Sequence, residues 1–97
     1  MRFSWDPAKS EANFRARGFD FEFAARIFEH PTWEREDTRH DYGEPRVLAT
    51  GLVEGLELTV CYTDRLAPGS IPERRIISAR RSNRRERQAY WQAIEGG

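Results

Sequence analysis

A two-residue turn between two alternating segments is the feature that most constrains the fold of this chain. Glu54-Gly55 separates Val47–Val53 from Leu56–Tyr62, and apolar or small residues recur at every second position in both segments. This pattern predicts a β-hairpin in which Val47 faces Tyr62. One face of the hairpin then carries seven apolar or aromatic residues and a glycine, namely Val47, Ala49, Gly51, Val53, Leu56, Leu58, Val60 and Tyr62. A slip of one residue would move this set to the other face, so the register is well specified.

Two helices are predicted before the hairpin. Asp6-Pro7 is typical of an N-cap followed by proline at the first helical position, and this helix should run to Arg17 and stop at Gly18. Asp20 is the predicted start of a second helix, which Pro31 ends. The apolar side chains of that second helix recur on one face, as expected of a helix that packs on a sheet.

Three further segments are predicted as strands, and they are Arg2–Trp5, Trp33–Arg39 and Arg74–Arg81. A loop is predicted over Leu66–Pro72, which holds two prolines and a glycine. Asn83 and Glu86 form a capping-box pattern that begins a C-terminal helix. The short connections favour an α+β fold with a small, mostly antiparallel sheet, two N-terminal helices packed on it and a C-terminal helix.

The length and charge of the chain bound its class. Its 97 residues are expected to form one domain, residues 1–97. The net charge is zero, but residues 1–64 carry 8 basic and 13 acidic side chains, whereas residues 65–97 carry 8 and 3. The single cysteine, Cys61, excludes an intrachain disulfide, and no apolar run approaches the ~18 residues of a membrane span. Without a signal-peptide pattern, the chain is predicted to be cytoplasmic and to have no membrane partner.

An arginine-rich segment, Arg74–Arg87, contains seven arginines and no lysine. A planar guanidinium group binds phosphate through two donors, so the segment predicts a site for a polyanion, with nucleic acid the expected partner. In a regular strand Arg74 and Arg80 would share one face, and Arg75 and Arg81 the other. A solvated surface, paired with the acidic N-terminal half, is the alternative interpretation of these residues.

No sequence motif for a metal or a cofactor is present. The chain lacks HExxH, Walker A, GxGxxG and paired-cysteine patterns. His40 lies among oxygen-bearing side chains, but their spacing matches no metal signature. We therefore expect no cofactor and no metal site.

The order of several short motifs resembles the BrnT family of bacterial type II toxins along nearly the whole chain. The most specific of them is Ile76-Ile77-Ser78-Ala79-Arg80 followed by Glu86-Arg87-x-x-Tyr90. The others are Trp5-Asp6-Pro7-x-Lys9-x-x-x-Asn13, Phe21-x-x-Ala24-x-x-x-Phe28, Glu44-x-Arg46, Gly51 and Val60-x-Tyr62-Thr63.

The resemblance implies a ribonuclease toxin with a fold similar to the RelE/ParE group, which arrests translation and growth by cleaving RNA. It also implies a BrnA-type antitoxin that is encoded beside the toxin and neutralises it by direct binding. In such pairs the antitoxin usually carries the DNA-binding domain, so operator DNA would be contacted only through the antitoxin. A toxin homodimer within a heterotetramer is one arrangement open to such a pair.

RNA can be cut without a metal when the ribose 2′-OH attacks the adjacent phosphate, and fixed cations would stabilise the charge of that transition state. We expect this charge stabilisation from Arg65, Arg75, Arg80 and Lys9. The RNA backbone is expected to contact Arg74, Arg81, Arg84 and Arg85. For proton transfer the sequence leaves Tyr62, Glu86, His30 and His40 open, and Tyr62 is included in the predicted catalytic set.

A non-catalytic toxin is the alternative function. ParE-like relatives of this fold group attack gyrase rather than RNA, and a fold alone does not fix a function. The basic residues would then form a module that binds nucleic acid or protein. Cleavage of purified RNA in the presence of EDTA distinguishes the two functions.

Overall fold

The computed structural model describes residues 1–96 and has an α+β fold built on one five-stranded sheet. The strands are β1 (Arg2–Ser4), β2 (Trp33–Glu36), β3 (Val47–Val53), β4 (Leu56–Ala67) and β5 (Ile71–Arg81). The α-helices are α1 (Pro7–Arg17), α2 (Phe21–Ala24) and α3 (Arg84–Gly96), and a 3-10 helix (Ala25–Glu29) continues α2. The strand order is β1-β5-β4-β3-β2, with β1 parallel to β5 and the other neighbours antiparallel. The predicted α+β class and mostly antiparallel sheet are confirmed.

The β3–β4 hairpin has the predicted register. Val47 lies opposite Tyr62 at its open end, and the pairing continues without a break to the turn. Glu54 and Gly55 have positive φ angles of 47° and 79°. Two positive φ angles are what a type I′ turn requires, and its twist matches that of the strands.

The first face of the sheet, which includes Ala49, Val60, Ile76 and Ala79, is covered by α2 and the 3-10 helix. Phe21, Ala24 and Ile27 from these helices are buried in the same core. At Gly51 the approach is so close that an added Cβ would lie 2.8 Å from the Cβ of Ile27. The missing side chain of Gly51 therefore lets the 3-10 helix lie directly against β3.

Helix α1 begins and ends where the sequence predicts. The Asp6 carboxylate accepts a hydrogen bond from the Ala8 N–H at 2.9 Å, and Gly18 ends the helix with a φ of 86°. Ser10 is the one buried residue of α1, and its hydroxyl accepts a hydrogen bond from the Phe21 N–H. Polar contacts thus hold α1 to the fold, and most of its surface is exposed.

The predicted end of β2 is wrong. The strand ends at Glu36 rather than Arg39, because the next residue, Asp37, is buried and accepts two hydrogen bonds from the Arg39 guanidinium at 2.8 and 2.9 Å. The second predicted helix is also shorter as an α-helix, since it ends at Ala24 and continues to Glu29 as the 3-10 helix.

The predicted loop over Leu66–Pro72 is wrong as well. Strand β4 extends to Ala67 and β5 starts at Ile71, so most of that segment is paired. Gly69 and Ser70 have φ angles of 86° and 60° and close the chain in a tight turn. Prolines are tolerated in strands when their missing N–H is not needed for the ladder.

A β-bulge interrupts β5 at Ile77. Cys61 pairs with Ser78, whereas the next residue of β4, Tyr62, pairs with Ile76, so Ile77 is an extra residue on β5. An extra residue places every side chain after it on the opposite face of the sheet from the one it would have in a regular strand.

The bulge changes which arginines share a face. Arg75 pairs with Thr63 and Arg80 with Thr59, and residues four apart on β4 point the same way. Arg75 and Arg80 therefore share the second face, which is the side of the sheet opposite α2. The prediction from regular alternation, that Arg74 shares a face with Arg80, is wrong for this reason.

Helix α3 lies against the second face near β2 and β3. Its capping box is confirmed, because the Asn83 side chain accepts from the Glu86 N–H and the Glu86 carboxylate accepts from the Asn83 N–H, both at 2.9 Å. Glu86 and Tyr90 are its buried side chains. Within residues 1–96 no helix is both long enough and apolar enough to cross a membrane.

Candidate active site

Four basic side chains converge on a pocket of about 140 Å³ at the edge of the second face. Arg75 comes from β5, Arg65 from β4, Lys9 from the first turn of α1 and Arg46 from the residue before β3. We call this site the cation pocket, and its lining residues are Asp6, Lys9, Glu44, Arg46, Thr63, Arg65, Arg75, Ile76 and Ile77. The pocket brings together three of the site residues predicted from the sequence.

Local features of the fold position these side chains. The bulge at Ile77 orients Arg75, which lies opposite Thr63. The Thr63 hydroxyl donates to the Pro45 carbonyl at 2.6 Å and so fixes the chain just before Arg46. These two contacts attach the pocket to strands β4 and β5.

Arg75 and Lys9 form no ion pair within residues 1–96. Arg75 is half-buried as a residue, and no carboxylate pairs with it in the described chain. Partial burial of a charge is unfavourable unless a counter-charge compensates for it. The pocket is thus suited to an anionic ligand.

The other two basic residues of the pocket, Arg65 and Arg46, each contact a carboxylate. Arg65 Nε lies 3.0 Å from Glu73 Oε2, and this hydrogen bond lowers the pKa of Glu73. Arg46 Nη2 lies 3.4 Å from Glu44 Oε1, which is a weak contact. The Arg46 guanidinium stacks 3.9 Å from the centroid of the Tyr42 ring, and its buried Nε has no acceptor in the described chain.

The structure places Arg80 outside the cation pocket. Two guanidinium nitrogens of Arg80 donate to Glu86 at 2.7 and 2.8 Å, and Arg35 donates to the same carboxylate at 2.6 Å. Burial alone would raise the pKa of Glu86, but the bonds from Arg80 and Arg35 outweigh burial and lower this pKa to about 2. Arg80 and Glu86 thus fasten α3 to the sheet. Arg80 therefore does not line the pocket that holds Arg65 and Arg75, and its catalytic role stays a prediction.

Tyr62 and Arg74 lie on the first face, away from the cation pocket. The Arg74 guanidinium packs 4.0 Å from the Tyr62 ring centroid and 4.8 Å from that of Phe28, and it bonds Asp64 at 2.8 and 3.0 Å. The buried Tyr62 hydroxyl donates to Glu34 at 2.7 Å. Burial, and then this hydrogen bond, raise the pKa of Tyr62. Their placement argues against the predicted roles of Tyr62 in proton transfer and of Arg74 in RNA binding.

The remaining predicted residues are exposed. Arg81 ends β5, Arg84 and Arg85 lie in the first turn of α3, and all three form no ion pair in the part of the chain that the structure describes. The two histidines, His30 and His40, are also exposed, and neither lines the cation pocket.

The sequence assigned no site role to Asp6, Glu44 or Arg46, all of which line the pocket. The signal for all three was the BrnT resemblance, whose motifs include Trp5-Asp6-Pro7 and Glu44-x-Arg46. Among residues 1–96, no three His, Cys, Asp or Glu side chains are placed to share a metal ion.

A comparison with protein families identifies the family of this chain. A family model described as the ribonuclease toxin BrnT of type II toxin-antitoxin systems matches residues 5–86. The chain belongs to the BrnT family. The match spans the whole cation pocket and the Arg80–Glu86 contact of this BrnT protein. No match was found among curated proteins. A type II toxin has an antitoxin as its partner, so membership also implies that partner.

Proposed function

We propose that this BrnT protein is a metal-independent endoribonuclease whose cation pocket binds the scissile phosphate of RNA. The observation that carries the proposal is the half-buried residue Arg75, which shares the pocket with three other basic side chains and has no carboxylate partner within residues 1–96. A phosphate would supply the missing negative charge and would accept two hydrogen bonds from the planar guanidinium.

In the proposed reaction the ribose 2′-oxygen attacks the adjacent phosphorus and the bond to the 5′-oxygen breaks. The products are a 2′,3′-cyclic phosphate and a free 5′-hydroxyl. Negative charge builds on the non-bridging oxygens as the new bond forms, and Arg75 and Arg65 stabilise it with fixed donors. Arg46 lines the same pocket and adds further positive charge. A preorganised donor of this kind typically contributes about 10²- to 10³-fold in rate.

Proton transfer is assigned to groups that line the cation pocket. The pocket has two carboxylates, and that of Asp6 already caps α1 through the Ala8 N–H. Glu44 is therefore the proposed base that takes the proton of the 2′-OH. The leaving 5′-oxygen must gain a proton, and the ammonium of Lys9 is the proposed donor.

Outside the pocket, the exposed Arg81, Arg84 and Arg85 are proposed to hold the RNA backbone. Arg84 and Arg85 lie in the first turn of α3, where backbone N–H groups also favour phosphate. These contacts would give affinity without sequence preference.

The family supports the rest of the biological assignment. We propose a BrnA-type antitoxin, RNA cleavage that arrests translation and growth in the cytoplasm, and operator binding through the antitoxin alone. We also propose a RelE/ParE-like fold and a heterotetramer that contains a toxin homodimer.

The test compares Arg75→Ala with Arg15→Ala in RNA cleavage with EDTA present. Arg15 is an exposed arginine of α1 whose carboxylate partner is Glu11, and it does not line the pocket. We expect Arg75→Ala to lower kcat/KM by about 10²- to 10³-fold and Arg15→Ala to change it by no more than about twofold. Circular dichroism and the unfolding midpoint verify that both variants fold.

Three results would count against the proposal. Full activity of Arg75→Ala removes that residue from the site. Loss of all cleavage on adding EDTA indicates a metal-dependent enzyme. Salt-sensitive RNA binding without cleavage favours the non-catalytic toxin.

A further inference from the structure

The backbone edge of β5 is left open beside α1. Strand β1 pairs only with residues 73–75 of β5, so the edge from Ile76 to Arg81 faces no other strand within residues 1–96. Exposed strand edges present unpaired N–H and C=O groups to which another chain can add. Helix α1 lies along this edge with Ser10 as its one buried residue.

A groove separates α1 from this edge. The groove is defined by two neighbouring pockets that share Arg17 in their lining, one of about 440 Å³ along residues 77–80 and one of about 420 Å³ at the C-terminal end of α1. Ala12 and Ala16 line the first pocket, and Phe14, which is 56% exposed, lines the second. The six open residues of β5 span about 20 Å at the usual rise of a strand, enough for a segment of five or six residues.

We propose that the antitoxin binds in this groove by adding an extended segment to the free edge of β5. Its apolar side chains would pack on Ala12, Ala16 and Phe14, and its acidic side chains would pair with the basic rim. This inference rests on the antitoxin partnership within the proposed function and is independent of the cleavage chemistry.

The charge of the rim favours an acidic partner. Lys9, Arg17 and Arg81 line the groove and form no ion pair in the described chain. Asp20 and Glu22 also line the groove, but the three unpaired cations outnumber these two carboxylates. Complementary charge speeds association and fixes register.

The unpaired edge of β5 favours protein over RNA as the occupant. An extended peptide offers alternating N–H and C=O groups that match those of the β5 edge, and peptide recognition by strand addition uses this match. Phosphates could satisfy the basic rim but would leave the carbonyls of the edge and the small apolar wall of Ala12 and Ala16 without partners.

The position of the groove also explains how binding there would neutralise the toxin. The groove and the cation pocket share Lys9 and Ile77. A strand seated on Ile77 can place an acidic side chain next to Lys9 and draw its ammonium away from the phosphate site. Inhibition would then follow from a contact at the border of the pocket.

The opposite edge of the sheet provides an internal control. Strand β2 is the other outer strand, and its residues Glu34 and Glu36 are exposed and acidic. Like charges would repel an acidic segment, so this edge should not accept it.

The experiment measures amide hydrogen exchange of the full chain, alone and with the antitoxin encoded beside it. Binding is also measured for Ala16→Glu and for the matched control Ala93→Glu, both at exposed alanines within helices. We expect new protection in residues 76–81 and none in residues 33–36. Ala16→Glu should weaken the complex at least tenfold, or about 1.4 kcal/mol, whereas Ala93→Glu should leave affinity unchanged.

Any of four outcomes overturns the inference. Protection could be absent from residues 76–81, or Ala16→Glu could match Ala93→Glu. Protection that appears in the free protein as its concentration rises would assign the edge to a second copy of the chain, and protection by RNA alone would assign it to RNA. RNA cleavage, assayed on the same samples, separates this inference from the ribonuclease proposal.

Discussion

The carboxylate of Glu86 joins three elements of the fold through one residue. It is 2% exposed and receives hydrogen bonds from Arg80 on β5, from Arg35 on β2 and from the Asn83 N–H at the start of α3. A buried carboxylate persists only when it is paired and its lone pairs are satisfied. Its negative charge in the first turn also offsets the unfavourable arginines at that end of the helix.

Replacing Glu86 with alanine should lower the free energy of unfolding by about 3 kcal/mol, because it leaves two guanidinium groups without their carboxylate. We expect the low end of the usual range, since the Arg80 and Arg35 side chains are 32% and 34% exposed. Urea unfolding followed by circular dichroism measures the change. Glu95→Ala, at an exposed position of the same helix, is the control and should change stability by less than about 0.5 kcal/mol. Equal losses in the two variants would contradict a structural role for Glu86.

Among the helices and strands, the sequence predicts the features that follow from a regular alternation of residues or from a known capping pattern. The β3–β4 register followed from alternation and a turn pair, and the start of α3 followed from Asn83 and Glu86. The bulge in β5 has no such signal, because Ile76 and Ile77 are both apolar and either could enter the core.

Which face of the sheet each arginine of β5 lies on depends on that one extra residue, and so does the set of residues that form the candidate site. The Arg35–Glu86 contact was also hidden, since it joins residues 51 positions apart. Lys9, Arg65 and Arg75 were nevertheless predicted and do meet. These residues lie on α1, β4 and β5, elements whose type and order the sequence predicts.

Packing of the 3-10 helix on β3 provides a test at this scale. Gly51→Ala would add a Cβ 2.8 Å from the Cβ of Ile27, an atom fixed to the backbone that cannot swing away. The helix must shift, and overpacking of this kind typically costs about 1–3 kcal/mol. Thermal and urea unfolding measure the loss. Gly96→Ala is the control, because a Cβ there meets nothing within 4 Å and should leave stability unchanged or slightly raised. A Gly51→Ala variant as stable as the native chain would contradict this packing.

Ion pairing between arginines and carboxylates, rather than the overall composition, determines which surface of the protein is basic. The net charge is zero, yet carboxylates neutralise a chosen subset of the arginines. Asp64 is bound to Arg74 and Glu86 to Arg80, and both arginines are structural. Six cations at these sites form no ion pair in the described chain, namely Lys9 and Arg75 of the cation pocket, Arg17 and Arg81 of the groove beside α1, and Arg84 and Arg85 in the first turn of α3. Acidic residues therefore help to select which arginines remain available to an anionic ligand.

The salt dependence of RNA binding tests whether arginines without carboxylate partners bind the RNA backbone. In the cleavage-deficient Arg75→Ala background, Arg84→Ala should lower affinity equally for different RNA sequences. It should also reduce the slope of log K against log salt by about 0.7, the contribution of one phosphate contact to a single strand. Arg15→Ala, which removes an exposed arginine paired with Glu11, should leave the slope unchanged. Equal slopes for Arg84→Ala and Arg15→Ala would place the RNA elsewhere.

The dependence of the free energy of unfolding on acidic pH tests the hydrogen bonds that Glu86 accepts from Arg80 and Arg35. The pKa of Glu86 is about 2 in the folded protein and has an ordinary value of 4.5, so the unfolded chain binds the proton more tightly. Its contribution to stability is complete above the ordinary value and is lost as the pH falls through the folded value. Asp37 acts in the same direction, because hydrogen bonds from Arg39 lower its pKa.

Comparison with Glu86→Gln isolates the part that belongs to Glu86, because glutamine keeps the shape of the side chain and does not titrate. The native chain should be the more stable of the two at neutral pH. The difference in the free energy of unfolding should shrink, by on the order of 3 kcal/mol, between about pH 6 and about pH 2. Urea unfolding at several pH values measures both proteins, and Asp37 affects them equally. A difference that stays constant over this range would show that Glu86 is not held ionised by Arg80 and Arg35.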